Sequence, residues 1–280
     1  MKLGTLVRIT DPAQAEEHFT VLRANGFSSC QLVYKPEVYR KEDALRIRTA
    51  ADRYEIEISA QFCGYRRGPS PDDNYFNFLV EGLNVETMRE ERLSYVLKAA
   101  EFASWLGVED IIVHAGYVPN NPFEPAYANM LTSMTILAKH CKQLGLNLLF
   151  ETGMEAPIVL VRLIQDLGFD NLFINFDPAN IFMYGFGNAV DALQVFGKYV
   201  RNMHGKDGLL PTDPRALGKE TPTGQGMVDF PKIFAMLKAL GYDRYVTIER
   251  EIAGEQQTKD ILMAKAYFEQ ILTNLGYRIG

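Results

Sequence analysis

The sequence predicts an α/β fold, a closed (β/α)8 barrel of the TIM type that forms a single domain over residues 1–280. Eight short apolar runs alternate with stretches of helical periodicity, the pattern of a parallel sheet wrapped by helices. The runs are mostly continuous in Ile, Val, Leu and Phe, as expected for strands covered on both faces. No Gly-x-Gly-x-x-Gly follows the first run, so an open dinucleotide-binding sheet lacks its fingerprint. A chain of 280 residues also matches one barrel of roughly 250 residues.

The strands are expected near 2–9, 28–34, 55–62, 109–115, 147–152, 172–178, 200–206 and 245–250. Of the helices between them, 229–240 is the clearest. Phe230, Ile233, Phe234, Leu237 and Leu240 recur at i, i+3, i+4 and i+7. Asp229 is the expected N-cap, Pro231 falls in the first turn, and Gly241 ends the helix. The run 85–106 opens at Asn84, closes at Gly107, and places Leu93, Val96, Leu97 and Ala100 on one face. Similar periodicity marks 123–144 and 256–274. Two connections, 63–83 and 205–228, exceed what packing requires and are expected to be walls or lids at the catalytic mouth.

Bulk properties narrow the function. A net charge of −6 opposes a nucleic-acid backbone as the main partner, because neutralising phosphates requires a basic surface. Cys30, Cys63 and Cys141 are widely spaced and form no Cys-x-x-Cys pair, so they read as buried free thiols. The segment Met1–Ile9 is too short and polar for a signal peptide and reads as the first strand. No apolar run approaches the ~20 residues of a membrane span, so a soluble cytoplasmic protein is expected, with no membrane partner. A homo-oligomer is compatible with the composition.

The ends of the last four strand runs carry the chemistry. Glu151 follows Asn147–Phe150, Asp177 follows Leu172–Phe176, His204 follows Val200–Met203, and Glu249 follows Tyr245–Ile248. Their spacings of 26, 27 and 45 residues each approximate one to one and a half strand–helix units. In a parallel barrel these ends converge at the mouth that holds the chemistry. Three carboxylates at a barrel mouth are costly unless a cation neutralises them. The set suits one divalent metal ion, with Mn2+ or Mg2+ favoured by the oxygens, and Co2+, Fe2+ or Zn2+ admitted by the imidazole. His114 ends the fourth run at the same mouth and reads as a substrate hydrogen-bonding group. Lys206 lies two residues after His204, on the same face of an extended strand, and suits a substrate oxygen or phosphate. Arg66 and Arg67 are further candidates for a phosphate clamp. His18 and His140 read as surface residues on helices, and Trp105 as core or a subunit contact.

Val113-His114-Ala115-Gly116, Phe150-Glu151-Thr152, Phe176-Asp177-Pro178-Ala179-Asn180, Met203-His204-Gly205-Lys206-Asp207 and Ile248-Glu249 resemble the xylose isomerase-like barrel superfamily. So does Gly224-Gln225-Gly226-Met227-Val228-Asp229-Phe230-Pro231. This group contains sugar phosphate isomerases/epimerases, ketose 3-epimerases, hydroxypyruvate isomerases, inosose dehydratases and endonuclease IV. The resemblance implies that Glu151, Asp177, His204 and Glu249 ligate the metal, and that Glu151 and Glu249 also transfer protons. It implies a small carbohydrate or sugar phosphate as substrate, isomerised or epimerised by proton abstraction beside a carbonyl, through a metal-stabilised enediolate. In ketose 3-epimerases a Glu six residues after the first ligand and an Arg six after the ligand His orient the sugar; here Pro157 and Leu210 stand there. A His common three residues after the ligand Asp is Asn180, which is counted among the substrate-binding residues. Glu155 and Arg215 lie nearby as substitutes.

Three rivals remain. A keto-inositol (inosose) dehydratase shares the proton abstraction. An endonuclease IV-type nuclease needs a larger His-rich metal set than four histidines allow. A non-catalytic sugar-binding barrel has no need for two opposed carboxylates.

Overall fold

The computed structural model describes residues 1–64 and 82–280. Seven strands run in chain order as β1 (Lys2–Arg8), β2 (Ser29–Val33), β3 (Glu57–Cys63), β4 (Asp110–His114), β5 (Asn147–Glu151), β6 (Leu172–Phe176) and β7 (Val200–Gly205). A small antiparallel pair, β8 (Asp207–Gly208) and β9 (Glu220–Thr221), interrupts them before β10 (Tyr245–Ile248). β10 pairs in parallel with both β7 and β1, closing an eight-stranded barrel in which every neighbouring pair is parallel. Each expected strand run overlaps one barrel strand. The β8–β9 pair within the long 205–228 connection was not foreseen, since two-residue strands leave no periodic signal.

Nine α-helices lie outside the barrel among the described residues: α1 (Ala15–Ala24), α2 (Lys41–Arg53), α3 (Arg89–Leu106), α4 (Pro125–Gln143), α5 (Pro157–Leu167), α6 (Pro178–Met183), α7 (Ala189–Phe196), α8 (Phe230–Ala239) and α9 (Glu255–Asn274). α8 follows its sequence reading closely. The Asp229 carboxylate accepts the Lys232 N–H at 3.1 Å, and Phe230, Ile233, Phe234 and Leu237 are buried. Leu240, expected on that stripe, is 52% exposed, because the helical phase ends at Ala239.

The start of α3 differs from expectation. Glu86–Met88 form a 3-10 turn and the α-helix begins at Arg89. Asn84 does not cap it; its side-chain amide donates to the Tyr117 carbonyl at 2.8 Å instead. Gly107 does end the helix, with a left-handed φ of 79° that favours glycine. Val96, Ala99, Ala100, Ala103 and Leu106 form the buried face, whereas Leu93 and Leu97 sit half-buried at its edge.

Most of the core lies between barrel and helices, and includes Phe102, Phe150, Phe176, Phe234 and Phe268, each fully buried. Burying such a side chain contributes about 1.5–3 kcal/mol. Inside the barrel a smaller plug of Ala60, Ile112 and Leu149 packs with Phe62 and Phe173. Asp110, at the start of β4, ties the other end of the barrel together. Its carboxylate accepts from Arg201 at 2.6 Å, Arg244 at 3.1 Å and Asn147 at 2.8 Å. Cys30, Cys63 and Cys141 are free and buried, as expected. Among the described residues no helix is long and apolar enough to cross a membrane.

Candidate metal centre

Strand alternation brings four side chains to the mouth. Glu151 is the last residue of β5, Asp177 follows β6 directly, His204 is the penultimate residue of β7, and Glu249 follows β10. Each offers a ligand atom, and those atoms all lie within 4.8 Å of one another. His204 Nδ1 is the hub, at 2.9 Å from Glu151 Oε1, 3.0 Å from Glu249 Oε2 and 3.7 Å from Asp177 Oδ2. All four residues are buried.

The surroundings fix these groups from behind. The Asn175 amide donates to Glu151 Oε2, and Gln31 Oε1 stands 2.9 Å from His204 Nε2. Asp177 caps α6, its Oδ1 accepting the Asn180 N–H at 2.9 Å. Thr152 locks the backbone between strands, its hydroxyl donating to the Asp177 carbonyl and accepting the Asp177 N–H. Lys206, 2% exposed, points its ammonium among Glu251 at 3.1 Å, Asn180 Oδ1 at 3.2 Å, Glu249 at 3.5 Å and Asp177 at 3.7 Å.

The electrostatics follow from crowding acids out of water. Burial pushes the Glu151 carboxyl up to about 7 against the pull of His204. Burial opposes charge on Glu249 as well, but Lys206 and His204 outweigh it and hold that carboxyl below the usual range. His204 and Lys206 both resist burial's pull toward the neutral form, because Glu151 and Glu249 around the imidazole, and Glu249, Asp177 and Glu251 around the ammonium, raise them well above their ordinary values.

The residues fit a divalent cation. Asp177 Oδ2 and His204 Nδ1 are sealed from solvent and make no well-formed hydrogen bond, their neighbours being the other cluster oxygens and, for Asp177, the Lys206 ammonium at 3.7 Å. Such orphaned atoms are costly unless something electropositive meets them. With His204 in the neutral form a ligand imidazole must take, three carboxylates against one ammonium leave two negative charges, which a divalent ion with hard-oxygen preference would balance.

A family model described as "Xylose isomerase-like TIM barrel" matches residues 19–267. The chain belongs to this family. It is similar to a crystal structure of a xylose isomerase domain protein from Planctomyces limnophilus, with 28% identity, 98% of each chain covered and a TM-score of 0.89. A D-tagatose 3-epimerase-like protein shares the fold at 21% identity, again with 98% of each chain covered and a TM-score of 0.72. An uncharacterized protein of Methanocaldococcus jannaschii is 24% identical, over 96% of this chain and 90% of that protein.

The structure places the other sequence candidates unevenly around this family's barrel mouth. His114 is the register partner of Glu151 and half-buried, with Phe62 edge-on to its ring at 5.9 Å. Burial and the nearby Lys206 lower its imidazole to about 4. Asn180 meets Lys206 directly. Pro157 opens α5, and both Leu210 and Arg215 lie on exposed loop surface. Arg66 and Arg67 lie outside the described residues, as does most of the 63–83 connection. His18 is half-buried on α1, His140 half-buried on α4, and Trp105 packs against Tyr39. Sequence reasoning missed Gln31 and Asn175. The available signal was a polar amide at an inward position of an otherwise apolar strand. It also missed Asp207, whose carboxylate organises the 205–228 connection, and the burial of Glu155.

Proposed function

We propose that this protein is a divalent-metal-dependent isomerase or epimerase of a small sugar or sugar phosphate, working by proton transfer at a carbon beside a carbonyl. The observation that carries this reading is the pair Glu151 and Glu249, whose carboxylates approach His204 Nδ1 from two different strands at 2.9 and 3.0 Å. Two carboxylates around one cation-binding atom set suit removal of a proton and its return. The bound cation would supply Lewis acidity, polarising the substrate carbonyl so that the enediolate is stabilised.

The residues divide the work. Lys206 beside Glu249 favours its charged form, which is the form that accepts a proton. Glu249 also keeps slightly more exposure than Glu151, 8% against 1%, so it is the more accessible base. His114, Asn180 and Lys206 supply polar atoms around the same mouth for substrate oxygens. Lys206 is held protonated by its carboxylate neighbours, which makes it a poor acid. An inosose dehydratase would share the proton abstraction and then lose hydroxide, and substrate profiling separates the two. The site lies on a soluble barrel, and a cytoplasmic setting fits its free thiols.

The test is hydrogen exchange. Ketoses, keto-inositols and their phosphates are incubated with the Mn2+-loaded protein in deuterated buffer and followed by NMR. At least one should take up deuterium beside its carbonyl, and Glu249→Gln should slow that uptake by about 10²–10⁴-fold. No uptake across the panel, or a Glu249→Gln variant within tenfold of wild type, refutes the proposal.

A further inference from the structure

Directly beneath the four ligands the barrel interior is lined by amides, where branched apolar side chains are usual. Gln31 on β2, Asn175 on β6 and Asn202 on β7 are fully buried, and the two asparagines are register partners on adjacent strands. Each leaves one polar atom without a partner: Gln31 Nε2, Asn175 Oδ1 and Asn202 Nδ2. Each such atom is a desolvation cost with no bond to offset it. Stability alone would favour apolar residues here, so the amides call for another explanation.

Gln31 and Asn175 share a geometry that supplies one. Gln31 Oε1 lies at His204 Nε2, and the Asn175 amide binds Glu151 Oε2. Each therefore engages the atom of a ligand that points away from the cluster. The atoms left are His204 Nδ1 and Glu151 Oε1, 2.9 Å apart inside it. An imidazole that donates from Nε2 to an amide oxygen carries its proton there and presents a lone pair at Nδ1. The opposite tautomer would aim an N–H at three carboxylates and exclude a cation. A carboxylate with one oxygen held by an amide can offer only the other to a metal. Among the described residues no amide engages Glu249, whose contacts to His204 and Lys206 both use Oε2.

We propose that Gln31 and Asn175 are positioning residues, fixing His204 as its Nε2–H tautomer and Glu151 as a one-oxygen ligand, while Glu249 is left free to swing toward substrate. This inference rests on the metal-centre reading above. Outer groups of this kind typically change metal affinity by 10–100-fold when removed.

The test uses Mn2+ alone for affinity, by calorimetry, and ring 15N spectra of the Mg2+-loaded protein for the tautomer. Gln31→Met keeps the volume and removes the acceptor. It should weaken Mn2+ by 10–100-fold and let the His204 proton populate both nitrogens. Gln31→Glu keeps an acceptor, now anionic, and should bind Mn2+ at least as tightly as wild type with the proton on Nε2. Asn175→Leu should weaken Mn2+ without altering the His204 tautomer. Wild-type protein that binds no Mn2+ would defeat the metal reading itself. Wild type that binds, with Gln31→Met within twofold and its proton still on Nε2, would overturn the positioning role and leave the metal reading standing. Should Gln31→Met not fold, a Gln31→Glu variant that binds Mn2+ more weakly than wild type overturns it instead.

Discussion

Replacing Asp207 with Asn tests how the long connection after β7 is held over the mouth. Asp207 is 1% exposed and its carboxylate accepts four backbone N–H groups. Oδ1 takes Gly208 at 2.8 Å and Val228 at 3.1 Å; Oδ2 takes Gly224 at 2.8 Å and Gly226 at 2.9 Å. Gly226 is required by the approach, since a Cβ there would stand 2.1 Å from Oδ1. An Asn retains one acceptor oxygen and sets an NH2 against two of these donors. Hydrogen bonds to a charged group contribute about 1.5–3 kcal/mol each, so two lost bonds give an upper figure of ~6 kcal/mol. Opening of the loop lets water recover part of this, and the expected loss is about 3 kcal/mol. Asp207→Ala frees all four amides, yet an opened loop hydrates them, so its cost should reach only about 4–5 kcal/mol. Urea unfolding measures both values, and amide hydrogen exchange at Gly224, Gly226 and Val228 locates the change. An Asp207→Asn variant within ~0.5 kcal/mol of wild type, or unaltered exchange at those amides, would refute the anchoring argument.

Glu155 is 4% exposed and burial pushes its carboxyl up to about 8 from an ordinary value of 4.5. A raised carboxyl stabilises the fold below its unfolded value and loses that contribution as pH climbs through the folded one. Stability should therefore fall by up to ~4 kcal/mol between about pH 4.5 and 8, and Glu155→Gln should remove this component; parallel pH profiles for the two proteins would refute it. Lys206→Met removes a buried cation from three carboxylates, so without metal it should cost about 3–5 kcal/mol in urea unfolding. The same variant should bind Mn2+ more tightly, because a positive charge near the cation is gone; weaker binding in titration would contradict that electrostatic picture. Adding Mn2+ at about 100 times its Kd should stabilise wild type by ~2.7 kcal/mol, visible as a rise of several degrees in Tm that excess chelator reverses.

The barrel and the four converging ligand residues, three acids and a histidine, were legible because both depend on local rules. Alternating apolar runs and helical stripes define strand and helix, and in a parallel barrel every strand's last residue reaches the same mouth. Glu151, Asp177, His204 and Glu249 needed only that rule to be grouped. Helix ends were less legible: Asn84 has the residue type of an N-cap, yet the Tyr117 carbonyl, far along the chain, claims its amide. Lys206 could be assigned to the mouth, but whether its ammonium was free or engaged depended on Glu251, Asp177 and Glu249 converging from other elements.

Gln31 shows the limit most plainly. A polar amide inside the apolar run Ser29–Val33 marks Gln31 as unusual, but nothing local names its partner, since His204 lies 173 residues away. Closure of β1 onto β10 carries β2 around the ring until its inward side chain meets the imidazole from across the lumen. Periodicity along a strand determines which side chains face inward. Which of them touch is decided by strand order, register and the curvature of the closed sheet, and these arise from contacts between segments too distant in sequence to leave a local pattern.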